Sequence, residues 1–269
     1  MGSSPTIPTK TSGVFGRQTY LYLNINMRTN TERQKVLEYH NKGLSQNEIS
    51  KLCNIPRSTI SGWIKSPNKK NIEFDPYEYI IKNNLQKTYS YILGLYLGDG
   101  YIDKMPRTWR FRVFNAKTYV ELNNHIEREL KKIFPLNKVN RVDSNTYYSI
   151  YVYSKNIPLL FPHYGEGKKH QRKINLLEWQ KKIIIPKYFI KGLFHSDGSY
   201  YPRTDKRSGK ISWSYDFRNE SDDILKFFKM YCNEIGIKCT FSSKPKCIHV
   251  YRKEYVEKLK KLIGTKTNL

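Results

Sequence analysis

Two stretches of this chain carry the same phrase. "YILGLYLGDG" fills residues 91–100 and "FIKGLFHSDG" fills residues 189–198. Asp99 and Asp197 stand 98 residues apart (197 − 99), as do Gly94 and Gly192, Leu95 and Leu193, and Gly100 and Gly198. The register persists downstream, where "YVYSK" ending at Lys155 matches "HVYRK" ending at Lys253 at the same offset. An internal duplication therefore covers most of residues 89–263, and each copy must fold into the same set of elements.

Within each copy the hydrophobic period changes in the same order. The apolar helix is followed by strands, "RTWRFRVFN" in the first copy and "ISWSYDFRN" in the second. Next come a helix (118–134; 221–235), two strands (138–153; 237–251) and a last helix (155–161; 253–263). Trp109, Phe111 and Val113 alternate with Arg110 and Arg112, while Ile211, Trp213, Tyr215 and Phe217 alternate with Ser212, Ser214, Asp216 and Arg218. Period two of this kind predicts antiparallel sheets with one apolar and one polar face.

The repeated helix is unusual at its end. Gly94 and Gly98, like Gly192 and Ser196, are four residues apart and share a helix face. Small residues there let two helices approach closely. Asp-Gly is in itself an ordinary helix stop, but the C-terminal end of a helix carries partial negative charge, so an aspartate is electrostatically misplaced there. Two such helices packed together would also set the carboxylates against each other. A shared divalent cation relieves both conflicts, and carboxylate oxygens plus substrate phosphates suit Mg²⁺, with Mn²⁺ or Ca²⁺ able to bind in its place.

These residues resemble the two motifs of monomeric LAGLIDADG homing endonucleases, over roughly 175 residues. The resemblance implies an α+β fold with two pseudosymmetric αββαββα halves, motif helices at their interface, and two antiparallel sheets forming a β-saddle over DNA. It further implies a site-specific double-strand endonuclease that uses divalent metal, bound by Asp99 and Asp197 with Gly98 and Ser196 beside them. The target would be a long, weakly palindromic duplex site, cut by a monomer. The motif's first aspartate is Leu97 in one copy and His195 in the other, and Lys191 replaces a small residue. Asn115 and Asn219 are the nearest candidates for the polar residue that the family places after the second strand.

The front of the chain has a different pattern. In "TERQKVLEYHNKGLSQNEISKLCNIPRSTISGWIKSP" (31–67), Val36, Leu37 and Tyr39 give a first helix an apolar side and Gly43 ends it. Ser45 with Glu48 forms a capping box. Ile49, Leu52, Ile60, Trp63 and Ile64 are expected to close one small core. Two helices joined at Cys53-Asn54-Ile55 match the helix-turn-helix pattern, whose second helix would present Arg57, Ser58 and Ser61 to DNA. The plainer alternative is a basic three-helix interaction module. The expected organisation is a disordered leader (1–30), a helix-turn-helix domain (31–66), a linker (67–86), the first half (87–163), an inter-half linker (164–185) and the second half (186–269). The leader Met1-Gly2-Ser3-Ser4-Pro5 back-translates to a stretch containing a GTTCGA loop of the kind found in tRNA genes, so Met27 is a candidate working start.

Charge narrows the partner. Lys plus Arg number 48 against 23 Asp plus Glu, a net charge of +25. A lysine-rich solvated surface would account for part of that excess, but its size in so short a chain points to a polyanion. No apolar run approaches a membrane span, no signal-peptide hydrophobic region follows the basic residues of the leader, and the four cysteines lack zinc-type spacing. An intracellular protein that does not engage membranes is expected. Base and phosphate contacts would fall to Arg107, Arg110, Arg112, Tyr147, Arg203, Lys206, Arg207, Lys210 and Arg218 on the polar strand faces and their loops. Lys155 and Lys253 share the aspartates' offset and are candidates for stabilising charge at the cut phosphate, although paired lysines arise readily in so basic a chain. His163 and His170 read as surface or phosphate contacts. Two rival readings use the same residues: a non-cleaving LAGLIDADG/helix-turn-helix transcription regulator, and an intron RNA maturase.

Overall fold

A computed structural model describes Arg28 and residues 30–67, 74–204 and 208–269. The leader up to Met27, residues 68–73 of the expected linker, Lys206 and Arg207 lie outside the described residues. The chain divides into two units at Ile72/Glu73.

In the first unit, α1 (Asn30–Asn41), α2 (Gln46–Cys53) and α3 (Arg57–Lys65) enclose Val36, Ile49, Ile55 and Ile60. Gly43 closes α1 with φ +86°, a left-handed conformation that glycine adopts without strain. The capping box forms as expected: Ser45 Oγ accepts from the Glu48 amide, and Glu48 Oε2 accepts from the Ser45 amide at 2.8 Å. Asn54 turns the chain at φ 52° between α2 and α3. Leu52 departs from expectation. It is 63% exposed, because the turn directs Ile55 into the core in its place.

In the second unit, α4 (Pro76–Lys82) precedes two copies of one pattern. The first copy runs α5 (Gln86–Gly98), β1 (Gly100–Lys104), β2 (Trp109–Ala116), α6 (Val120–Ile133), β3 (Val139–Asp143), β4 (Tyr147–Ser154) and α7 (Ile157–Leu160). After α8 (Glu178–Ile183) the second runs α9 (Pro186–Asp197), β5 (Gly198–Thr204), β6 (Ile211–Arg218), α10 (Asp222–Glu234), β7 (Thr240–Ser243), β8 (Lys246–Val250) and α11 (Lys253–Ile263). Each is αββαββα. The two antiparallel sheets have equivalent strand orders, β1-β2-β4-β3 and β5-β6-β8-β7.

The halves share one apolar core, and α5 and α9 cross at its centre. Their contact depends on glycine. A Cβ on Gly94 would run into the Phe189 carbonyl oxygen, and one on Gly192 into that of Tyr91. Leu97 and His195, where the motif's first aspartates would stand, are both buried. The Tyr91 hydroxyl lies 3.1 Å from His195 Nδ1, and burial pushes the imidazole far down toward its neutral form.

The spans expected as linkers are part of the fold. Ile80 of α4 is fully buried, and the Tyr79 hydroxyl donates to the Ile133 carbonyl at 2.7 Å. Between the halves, Ile174, Leu176 and Ile183 join the core, while Gln180 donates to the Tyr89 hydroxyl at 2.6 Å. Alternation holds along β2 but not along β6. Ile211 and Trp213 project beyond the core and are exposed, whereas Ser214 and Asp216 on the polar face are buried together with Tyr215 and Phe217.

Candidate functional site

The repeated helices end side by side. Asp99 is the residue that closes α5 and Asp197 is the last residue of α9. Gly98 has no room for a side chain: a Cβ there would strike the Ser196 side chain and lie 2.7 Å from Asp197 Oδ2. The small residues thus bring the two carboxylates into one electrostatic neighbourhood.

Both acids have raised proton affinity. Burial, reinforced by the charge of Asp197, pushes Asp99 up to about 6. Burial likewise raises Asp197, against a hydrogen bond of 2.9 Å from Asn219 Nδ2. Asn219 reaches this acid because Gly198 pairs with Phe217, two residues before it. Asn115 holds the corresponding place after Val113, but donates to Asn123 Oδ1 at 3.1 Å.

Two lysines that sequence spacing did not single out meet the helix ends. Lys169, in a 3₁₀ turn spanning Lys169–Gln171, donates to the Gly98 carbonyl at 2.6 Å and also to that of Tyr96. Lys266, past α11, donates to the Ser196 carbonyl at 2.5 Å. Gly98 and Ser196 correspond at the motif offset, so the two contacts are equivalent. Each ammonium neutralises the negative end of one helix. Burial pulls Lys169 down to about 8 and lowers Lys266, while both aspartates favour the charged ammonium.

Lys155 and Lys253 lie elsewhere in their halves. Lys155 is exposed in the turn after β4, and Lys253 opens α11 almost fully exposed, 3.9 Å from Glu257. They keep the 98-residue repeat spacing, while the ammonium groups that meet the motif helices come from Lys169 and Lys266. The latter pair is 97 residues apart (266 − 169), and each member follows its half's last helix.

A cavity of about 820 Å³ opens at the helix ends, lined by Gly98, Lys169, Arg172, Asp197, Arg218 and Asn219 among others. His163, expected at the surface, is buried near Tyr96 instead, and burial pushes it down to about 4. His170 is exposed.

The polar sheet faces hold the remaining candidates. On the first sheet Asp103 binds Arg110 Nε at 3.0 Å and Arg112 Nη2 at 2.9 Å. Arg112 also lies over Tyr101 and Phe114, and Arg110 over Tyr151. Arg107 is exposed between β1 and β2, and Tyr147 is exposed at the start of β4. On the second sheet Arg203, Lys210 and Arg218 are exposed. In the first unit Arg57 and Ser58 are exposed on α3, and Ser61 is half-buried. Among the described residues no helix is long and apolar enough to cross a membrane.

The acids fit a hard divalent cation. Both carboxylates have raised proton affinity chiefly because burial strips water from their charge, and a divalent cation would replace that lost solvation. The Gly98 and Ser196 carbonyls, further oxygen donors at the same helix ends, are engaged by lysine in this structure.

Comparison with known proteins gives three results. A helix-turn-helix domain family matches residues 32–66. No curated protein matches the sequence. Among solved structures, the chain is similar to I-DmoI in complex with DNA and Mn, at 18% identity over 67% of this chain and 98% of that one, with a TM-score of 0.48. It is also similar to the homing endonuclease I-WcaI bound to its DNA recognition sequence, at 17% identity over 66% of this chain and 80% of that one, with a TM-score of 0.45.

Proposed function

We propose that the chain is a metal-dependent, site-specific DNA endonuclease of the LAGLIDADG type that cuts both strands of a duplex. The observation that carries this reading is the pairing of Asp99 and Asp197 at two closely packed helix ends, each with its own half-buried lysine. Asp99 and Asp197 would hold Mg²⁺, for which Mn²⁺ or Ca²⁺ could substitute. The cation supplies Lewis acidity toward the phosphoryl oxygen and the attacking water. Asn219 orients Asp197. Lys169 and Lys266 are placed to stabilise negative charge as the phosphodiester bond breaks, the role that repeat spacing gave to Lys155 and Lys253.

The substrate is duplex DNA, long and weakly palindromic because two similar halves would read two similar half-sites. Arg110 and Arg112, held by Asp103, and Arg203, Lys210 and Arg218 supply contacts from the sheets. Arg57, Ser58 and Ser61 extend them from the helix-turn-helix domain, and the enzyme acts as an intracellular monomer. The helix-turn-helix match alone would equally suit a non-cleaving regulator, and this is the reading to be excluded.

The deciding experiment incubates the full chain with a duplex library from which bound sites are selected, with and without Mg²⁺. Double-strand cutting that requires metal and is lost in Asp99→Asn/Asp197→Asn is the expected result. Tight, selective binding without cutting in any divalent metal would favour the regulator.

A further inference from the structure

The polar face of the second sheet contains a second group of ligand-type side chains, separate from the paired aspartates. Asp216 lies on β6, and Cys247 and His249 lie two residues apart on β8. Asp216 pairs directly with His249, and Arg218 with Cys247, so all four side chains emerge on one face. Asp216 is 1% exposed and Cys247 fully buried, where an alternating strand would leave a solvated polar residue. His249 Nδ1 is 2.8 Å from Asp216 Oδ1 and 3.7 Å from Cys247 Sγ. The carboxylate oxygen, imidazole nitrogen and sulfur lie within 4.8 Å of one another.

We infer that Asp216, Cys247 and His249 form a binding site for one Zn²⁺-class transition-metal ion. A thiolate and an imidazole select against Mg²⁺ and Ca²⁺ and suit zinc or cobalt. Tetrahedral zinc with ordinary bond lengths sets its nitrogen and sulfur ligands about 3.5 Å apart, and nitrogen and oxygen about 3.3 Å apart. The sulfur-to-nitrogen spacing already matches. The carboxylate must move back from the imidazole by roughly half an ångström, replacing the Asp216–His249 hydrogen bond with two metal bonds. Binding releases the Cys247 proton, and the Nδ1 proton that His249 donates to Asp216 moves to Nε2, leaving neutral imidazole free to ligate through Nδ1. Loading then exchanges one proton for the dication and takes the site from the single negative charge of Asp216 to zero, so the loaded site itself carries no net positive charge toward the neighbouring Arg218. Tyr201, whose hydroxyl donates to Asp216 Oδ2 at 2.7 Å, and Ser214, whose hydroxyl donates to Oδ1 at 3.2 Å, orient the carboxylate. The ion would tie β6 to β8 directly and β5 to both through Tyr201, making the second sheet stiffer than the first.

The test is a Co²⁺ titration of the metal-free full chain under reducing conditions. A thiolate-to-cobalt charge-transfer band with visible bands of tetrahedral intensity should saturate at one equivalent. Zn²⁺ should bleach them, while Mg²⁺ in large excess should not. Cys247→Ser should abolish the charge-transfer band, and His249→Gln should weaken Co²⁺ binding by about tenfold or more. Cys239→Ser and Asp99→Asn/Asp197→Asn should retain the band. Near-ultraviolet circular dichroism checks the fold of each variant, and His249→Gln serves as an independent probe if Cys247→Ser does not fold. Absence of a thiolate band, its persistence in folded Cys247→Ser, unchanged affinity in folded His249→Gln, or its loss in folded Cys239→Ser would overturn the assignment.

Discussion

Asp99 carries a cost that can be measured. A carboxyl whose folded pKa is raised from 3.8 to about 6 favours folding less as pH rises through that interval. The difference amounts to on the order of 3 kcal/mol. In chelator at pH 7, Asp99→Asn should therefore unfold at higher urea than the parent, and the advantage should vanish at pH 4. Mg²⁺ should narrow the gap at pH 7 by stabilising the parent alone. Lys169 and Lys266 make a second prediction. Replacing either by Met should slow strand cleavage by about 10² to 10³-fold, while gel-shift affinity for the duplex changes little. The aspartates were legible in sequence because the Asp-Gly phrase repeats in register. The lysines were not, because their spacing differs from the repeat by one residue and their proximity to the helix ends is made by tertiary folding.

At the level of elements, the α5–α9 contact is the least tolerant part of the fold. Its glycines leave no space for a methyl group against opposing backbone. Gly192→Ala should cost about 1–3 kcal/mol or more in urea unfolding, as overpacking of a tight contact does. Small-residue spacing made this pairing readable in advance, and period two identified β2 with equal clarity. The same period misrepresented β6, whose outer end runs past the core while Asp216 near its inner end is enclosed by Tyr201, Ser214 and His249. Alternation describes which way side chains point. It does not record whether neighbours then cover them. The supposed linkers were misread for a related reason: short helices such as α4 and α8 bury only a few apolar residues each, too few to establish a period.

Across the whole molecule, a net charge of +25 predicts binding that weakens steeply with salt. Arg57→Ala should lower affinity similarly on selected and random duplexes and reduce the log–log salt slope by about 1 if its partner is a phosphate. A loss confined to the selected duplex would assign it to base reading. The two sites also draw on different parts of the chain: Lys169 follows the first half's last helix and Lys266 the second's. Under the endonuclease reading, Lys266→Met should nick one strand and Lys169→Met the other, which strand-specific end labelling would resolve. The placement of Lys169 also bears on how a duplicated chain could arise. A single ancestral copy pairing with its twin would already have carried this lysine in its tail. Under the endonuclease reading, fusion then needed only to prolong that tail as far as Pro186, and the bridge between the halves would have inherited its lysine instead of acquiring one.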